Sequence, residues 1–302
     1  PETAPPPTPP PPPPPPAPST TEAPARVAAA SAPVPRRGAA VYRGLGAWID
    51  AYDWSLSFGK DGPLVEVGDV DRMAELGVQT LYVQATRWNS PTDVLEPERL
   101  VPLIDRARRH GIKVVAWYLP TLEDPAADLR RMLAVAELDV DSLAVDIEAR
   151  NVGDVAERNR RLVDLSHRVR HALPDVALGG IVFPPVVSEV VNPGFWPGFP
   201  WAELAPYYDV WLPMSYQSNR PAASGYRDAY RYAAENIDRV RANLGRPDAP
   251  VHLIGGIADL TSGADVEALI RAARERGAVG GSLYDWRTTD PGLWPHLQPF
   301  RA

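Results

Sequence analysis

Eight short runs of β-forming residues, six of them followed by a stretch of helical periodicity, fill the chain from residue 42 to its end. Parallel strands need a crossover of a dozen residues or more, so this alternation predicts a parallel sheet covered by helices. The runs are 44–50, 78–84, 112–119, 141–148, 176–182, 210–216, 251–257 and 279–284. Helical stretches fill the gaps at 97–110, 125–138, 155–173, 228–244 and 264–276, with a short one ending near Gly77. Pro97 suits a first helical turn and Gly111 a helix stop. Eight such units in about 260 residues is the length and count of a (β/α)8 TIM barrel with right-handed crossovers. An open doubly wound sheet would need a glycine-rich phosphate loop after its first strand. Here Gly44-Leu45-Gly46 lies inside that strand. A single α/β barrel over 41–302 is therefore expected.

Residues 1–40 cannot belong to that core. Sixteen of the 36 prolines fall between Pro1 and Pro35, including an unbroken run from Pro9 to Pro16. Such composition favours extended polyproline II and predicts a disordered Pro-rich linker or stalk. A stalk of this kind would tether the barrel to a cell wall or membrane surface. The chain starts at Pro1, and with the stalk this leads to the expectation of a removed signal segment and a secreted or envelope-associated protein.

A net charge of −7 argues against nucleic acid as the partner. The absence of cysteine removes disulfides, thiol nucleophiles and cysteine metal sites together. His167 and His171 stand four apart on an expected outer helix, with no glutamate in the pattern of a zinc protease. His252 falls near the start of the seventh strand, away from the end where barrels do chemistry. No metal or other cofactor is expected, and the chain is expected to act as a monomer.

The segment 141–148, Asp-Ser-Leu-Ala-Val-Asp-Ile-Glu, carries the most chemistry. Read as a strand, it sends Leu143, Val145 and Ile147 to one face, and Ser142, Ala144, Asp146 and Glu148 to the other. Two acids on one face of a buried strand cost too much unless paired or used. Like charges that close cannot both ionise freely, so one pKa rises toward the range of a general acid. The bland alternative is an ion pair with Arg87 or Arg150.

The other strand ends bring large aromatics and more acids to the same mouth. Aromatic faces cover the CH faces of sugar rings, while carboxylates bond hydroxyls and protonate a glycosidic oxygen. The residues expected to touch such a substrate are Asp50, Trp48, Trp88, Trp117, Tyr118, Met214, Gln217, Tyr284, Asp285 and Trp286.

The pattern Asp141-x-x-Ala144-x-Asp146-x-Glu148 resembles the fourth-strand signature D-x-x-D-x-D-x-E of the family 18 chitinase-like glycoside hydrolases. Met214-Ser215-Tyr216 resembles that family's Met-x-Tyr motif, and Gly280-Gly281 leading to Tyr284 and Trp286 is similar to its eighth strand. The resemblance implies Glu148 as acid and base, Asp146 and Tyr216 as its catalytic partners around the substrate's acetamido group, and Trp286 beneath the sugar. The nucleophile would be the substrate's own N-acetyl group. Three positions depart: Ala144 replaces the middle Asp, Gln217 stands where an acid is common, and Trp286 falls one residue late. Asp50, Asp146 and Glu148 also resemble the acids of the family 25 lysozyme-like barrels. The function expected is hydrolysis of a β-linked polysaccharide, chitin- or peptidoglycan-like. The alternative is a barrel that binds glycans without cleaving them.

Overall fold

A computed structural model describes residues 38–60 and 64–302. The expected linker, apart from residues 38–40, lies outside the described residues.

The strands are β1 (Gly44–Ile49), β2 (Thr80–Gln84), β3 (Lys113–Tyr118), β4 (Ser142–Ile147), β5 (Ala177–Val182), β6 (Val210–Ser215), β7 (His252–Gly256) and β8 (Gly280–Tyr284). They pair in chain order and in parallel, and β8 returns to β1 through Gly44↔Gly280 and Ala47↔Leu283, which closes the barrel. The helices are α1 (Ala51–Trp54), α2 (Val67–Glu75), α3 (Pro97–Arg109), α4 (Pro125–Ala136), α5 (Val155–Ala172), α6 (Trp201–Leu204), α7 (Ala229–Leu244), α8 (Gly263–Glu275) and α9 (Trp294–Leu297). All eight expected strands form, with ends trimmed by a residue or two. The stretch after β5, whose fold the sequence left open, contains a π-helical turn at Val186–Val191 and then α6.

The helices start where local chemistry satisfies their free N–H groups. Asp124, Asp154, Asp228 and Ser262 cap α4, α5, α7 and α8 through their side chains, each cap worth about 1 kcal/mol. Gly245 ends α7 in the left-handed conformation at φ 60°, which glycine adopts without penalty.

Strand alternation sorts the core into two layers. Leu143, Val145 and Ile147 pack outward in the shell shared with the helices. Ala144 points inward with Trp48, Tyr82, Val115, Trp117, Leu212, Met214 and Ile254. Aromatics this large fit inside eight strands only where neighbours lack side chains. A Cβ on Gly46 would lie 2.6 Å from the Tyr82 ring, and one on Gly179 would lie 2.7 Å from the Tyr42 hydroxyl. Tyr42 itself plugs the floor, donating to the Leu143 carbonyl at 2.8 Å beside Ser142 Oγ at 2.7 Å. With that end sealed, the C-terminal strand ends frame the cavity.

Candidate active site

Each inward position at the top of a strand contributes to one pocket of about 320 Å³. Trp48 and Asp50 come from β1 and its end, Gln84 from β2, Trp117 from β3, Asp146 and Glu148 from β4. Ile181, Met214 with Tyr216, Ile254 and Tyr284 follow from β5 to β8, Tyr52 reaches in from α1 and Arg87 from the loop after β2.

Asp146 is 7% exposed, and its Oδ1 is a buried atom with no hydrogen-bond partner among the described residues. Burial pushes its carboxyl well above the usual range, and the Glu148 charge pushes it further. Burial likewise raises Glu148. Burial, then the charges of Asp146 and Glu148, hold the Tyr216 hydroxyl protonated as a donor. Trp117 Nε1 is a second buried polar atom without a partner among the described residues. A donor and an acceptor left bare on one cavity are groups a polar ligand would satisfy.

A second acid group supports the first. Asp50 accepts from the Tyr52 N–H with Oδ1 and from the Tyr284 hydroxyl with Oδ2, both at 2.7 Å. Asp53 accepts from the Asp50 N–H at 2.7 Å. Asp285 accepts from the Thr288 N–H at 2.9 Å. One oxygen from each of Asp50, Asp53 and Asp285 lies within 4.8 Å of the others, a set that could hold a hard cation. Each acid already serves a hydrogen bond of the fold, so the trio works as a frame behind Tyr284. Burial, then Asp50 and Asp285, push Asp53 up to about 8.

Trp48 is fixed from below. Its Nε1 donates to Ser282 Oγ at 2.8 Å, and Ser282 faces His252 Nε2 at 3.0 Å. His252 Nδ1 lies 2.9 Å from the Tyr42 carbonyl, which can only accept. Nδ1 therefore carries the proton, Nε2 accepts from Ser282, and Ser282 accepts from the indole. Burial drives the His252 pKa down to about 4, so the ring stays neutral and the chain keeps one direction. Trp48 stacks on Tyr82 at 4.1 Å and 8°, which leaves its other side for the pocket.

Several expected contacts fall elsewhere. Tyr118 follows the outward phase of β3: it is 2% exposed and donates to Asp128 Oδ1 of α4 at 2.6 Å. It ties a strand to a helix and does not line the pocket. Trp286 leaves the barrel after β8, packs on Trp294 at 5.1 Å and donates to Asp69 at 3.3 Å. It lines a separate groove between α2 and α9, so it cannot lie under a sugar in the pocket. Trp88 is half-exposed and borders a shallow depression with Thr121 and Arg130. Gln217 is buried in a 3-10 turn, and Asp285 stands behind the lining. The alternative reading, an ion pair of these acids with Arg87 or Arg150, does not form among the described residues: Arg87 stacks over Tyr52 at 4.3 Å and Arg150 over Phe195 at 4.1 Å. Ile181 and Ile254 were not anticipated, although their inward phase on β5 and β7 is readable from alternation.

No family model and no curated protein matches the sequence. Solved structures do match the fold. A family 18 chitinase from Cycas revoluta in complex with (GlcNAc)3 superposes at TM-score 0.63, with 14% identity over 85% of this chain and 98% of that one. The Bacillus cereus spore cortex-lytic enzyme SleL gives 0.62, with 10% identity over 86% of this chain and 74% of that one. A class V chitinase from tobacco gives 0.61, with 12% identity over 85% and 97%. At these identities the likeness is one of fold, a (β/α)8 barrel shaped like those of the chitinases and the cortex-lytic enzyme.

Proposed function

We propose that the chain is a glycoside hydrolase acting on a β-linked, N-acetylated glycan, chitin- or peptidoglycan-like, with Glu148 as general acid and base. The observation that carries this reading is the Asp146–Glu148 pair on the pocket wall, both carboxyls pushed up by burial, ringed by Trp48, Trp117, Tyr216 and Tyr284. The shared barrel shape of chitinases, one holding (GlcNAc)3, agrees with it.

Protonated Glu148 gives its proton to the glycosidic oxygen as the bond from that oxygen to C1 breaks. The carbonyl oxygen of the substrate's 2-acetamido group attacks C1 and closes a positively charged oxazoline ring. Asp146 faces the acetamido N–H, and Tyr216 donates to the acetamido oxygen. Water then attacks C1 while Glu148, now a carboxylate, takes its proton, and the configuration at C1 is retained. Asp50 is a poor protein nucleophile because both its oxygens already accept hydrogen bonds. This favours the substrate's own group.

Glu148→Gln tests the assignment on N-acetylglucosamine oligomers and on purified cell wall. A loss of about 10²–10⁴ in kcat with binding retained is expected; cleavage at the wild-type rate would remove Glu148 from the role. One observation favours a second reading, a barrel that binds without cleaving: beneath Asp146 the inward residue is Ala144, 1% exposed, so no second carboxyl orients the first. Binding by wild type without turnover of either polymer would establish it. The Pro-rich segment supports a location at the cell envelope, which fractionation of cells would test.

A further inference from the structure

The pocket does not end at Glu148. A second cavity of about 520 Å³ shares Glu148, Met214 and Tyr216 with it and runs toward the loops after β5 and β6. A glycan cleaved at Glu148 would place one sugar in the first cavity and its neighbour in the second. The second is walled by Phe183, Phe195 and Val187, and one cation, Arg220, enters it. Arg220 Nε is buried without a partner, and the guanidinium makes no hydrogen bond or ion pair to any described residue. The well-buried Arg170 shows the usual outcome: it donates to the Tyr207 and Val176 carbonyls and pairs with Asp209 at 2.6 Å. Arg158, whose Nε is also bare, still donates to the Val152 carbonyl and lies over Trp196. A guanidinium partly withdrawn from water and left unpaired carries a cost that an anion would remove.

We infer that the neighbouring sugar carries a carboxylate and that Arg220 reads it. This inference rests on the glycosidase reading and narrows its substrate to glycans with a free carboxyl substituent, as on the lactyl ether of peptidoglycan strands freed of their stem peptides, rather than chitin. The planar guanidinium fork matches a carboxylate in two parallel hydrogen bonds, and the apolar walls strengthen them. The acids of the mouth do not forbid an anion there. Asp53, Asp146, Glu148 and Asp285 are all raised by burial, so the site carries less negative charge than its carboxyl count.

The test measures binding in the full chain carrying Glu148→Gln, by tryptophan fluorescence. The probes are oligomers alternating N-acetylglucosamine with N-acetylmuramic acid, the same oligomers with the carboxyl reduced to the alcohol, and oligomers alternating N-acetylglucosamine with glucuronic acid. The carboxylated muramyl oligomer is expected to bind at least tenfold tighter than its reduced form. Arg220→Met should bring that ratio close to one, and Arg220→Lys should retain part of it. Preference for the glucuronate oligomer over the reduced one, also lost in Arg220→Met, would move the carboxylate to a ring carbon and leave the role of Arg220 standing. Binding of both the muramyl and the glucuronate oligomers no tighter than the reduced one, or a preference that survives Arg220→Met, overturns the inference. The first comparison needs no Arg220 variant, so a folding defect cannot mask the answer. The two readings fail separately. A ratio of one in a protein whose Glu148 form cleaves N-acetylglucosamine oligomers removes only Arg220's role. A tenfold ratio in a protein that cleaves nothing removes only catalysis.

Discussion

Asp53→Asn separates the frame of the site from its chemistry. Asp53 is 4% exposed, holds the Asp50 N–H, and faces the carboxyls of Asp50 and Asp285. Arg287 at 3.6 Å offsets only part of the repulsion. The carboxyl is raised from 3.8 to about 8, so the folded state binds its proton more tightly than the unfolded state does. The stabilising effect of that proton is complete below pH 4 and disappears as pH climbs to 8. Its ceiling over that window is about 5–6 kcal/mol at 1.36 kcal/mol per pKa unit. Coupling to the neighbouring carboxyls reduces the effect to about 2–4 kcal/mol. Asparagine keeps an oxygen to accept from Asp50 and never ionises. Urea unfolding of both proteins from pH 4.5 to 8.5 is the assay. The variant's stability relative to wild type should rise by that amount across the range. Parallel pH curves, or an advantage that shrinks as pH rises, would refute the reasoning.

Tyr118→Phe should cost about 1–3 kcal/mol in denaturant unfolding, because the buried Asp128 carboxyl loses the donor to its Oδ1 and keeps only backbone N–H donors such as that of Leu122, while kcat stays within a few-fold of wild type. A large kcat loss with stability unchanged would return Tyr118 to the substrate. Ala144→Asp adds a carboxyl on the inward face of β4 that Asp146 shares. It should destabilise the fold by about 1–3 kcal/mol and hold or raise the turnover of N-acetylglucosamine oligomers. Abolished turnover in a folded variant would contradict the role given to Asp146.

Alternation along the strands made most of the pocket legible. Trp48, Gln84, Trp117, Asp146, Met214 and Tyr284 share the inward phase that the sequence pattern fixes, and all line the cavity. Tyr118 sits at a strand end, but phase decides its direction: one residue further along β3 than Trp117, it must face α4. Trp286 and Trp88 lie beyond the strands, where phase no longer applies and the loop path decides. The Trp48–Ser282–His252 chain was hidden for a related reason. His252 sits at the quiet end of β7, and only closure of the barrel brings β7, β8 and β1 side by side. Arg220 follows β6 by five residues, and nothing local distinguishes an unpaired arginine from the paired ones around it.

The most direct test of substrate-assisted cleavage compares two aryl β-glycosides that differ only at C2, one carrying an acetamido group and the other a hydroxyl, with product anomers followed by proton NMR from the first turnovers. The acetamido substrate should be cleaved with β product appearing first, and the hydroxyl analogue should be slower by about 10³-fold or more, since it lacks the nucleophile. Comparable rates for the two, or α product first, would contradict it.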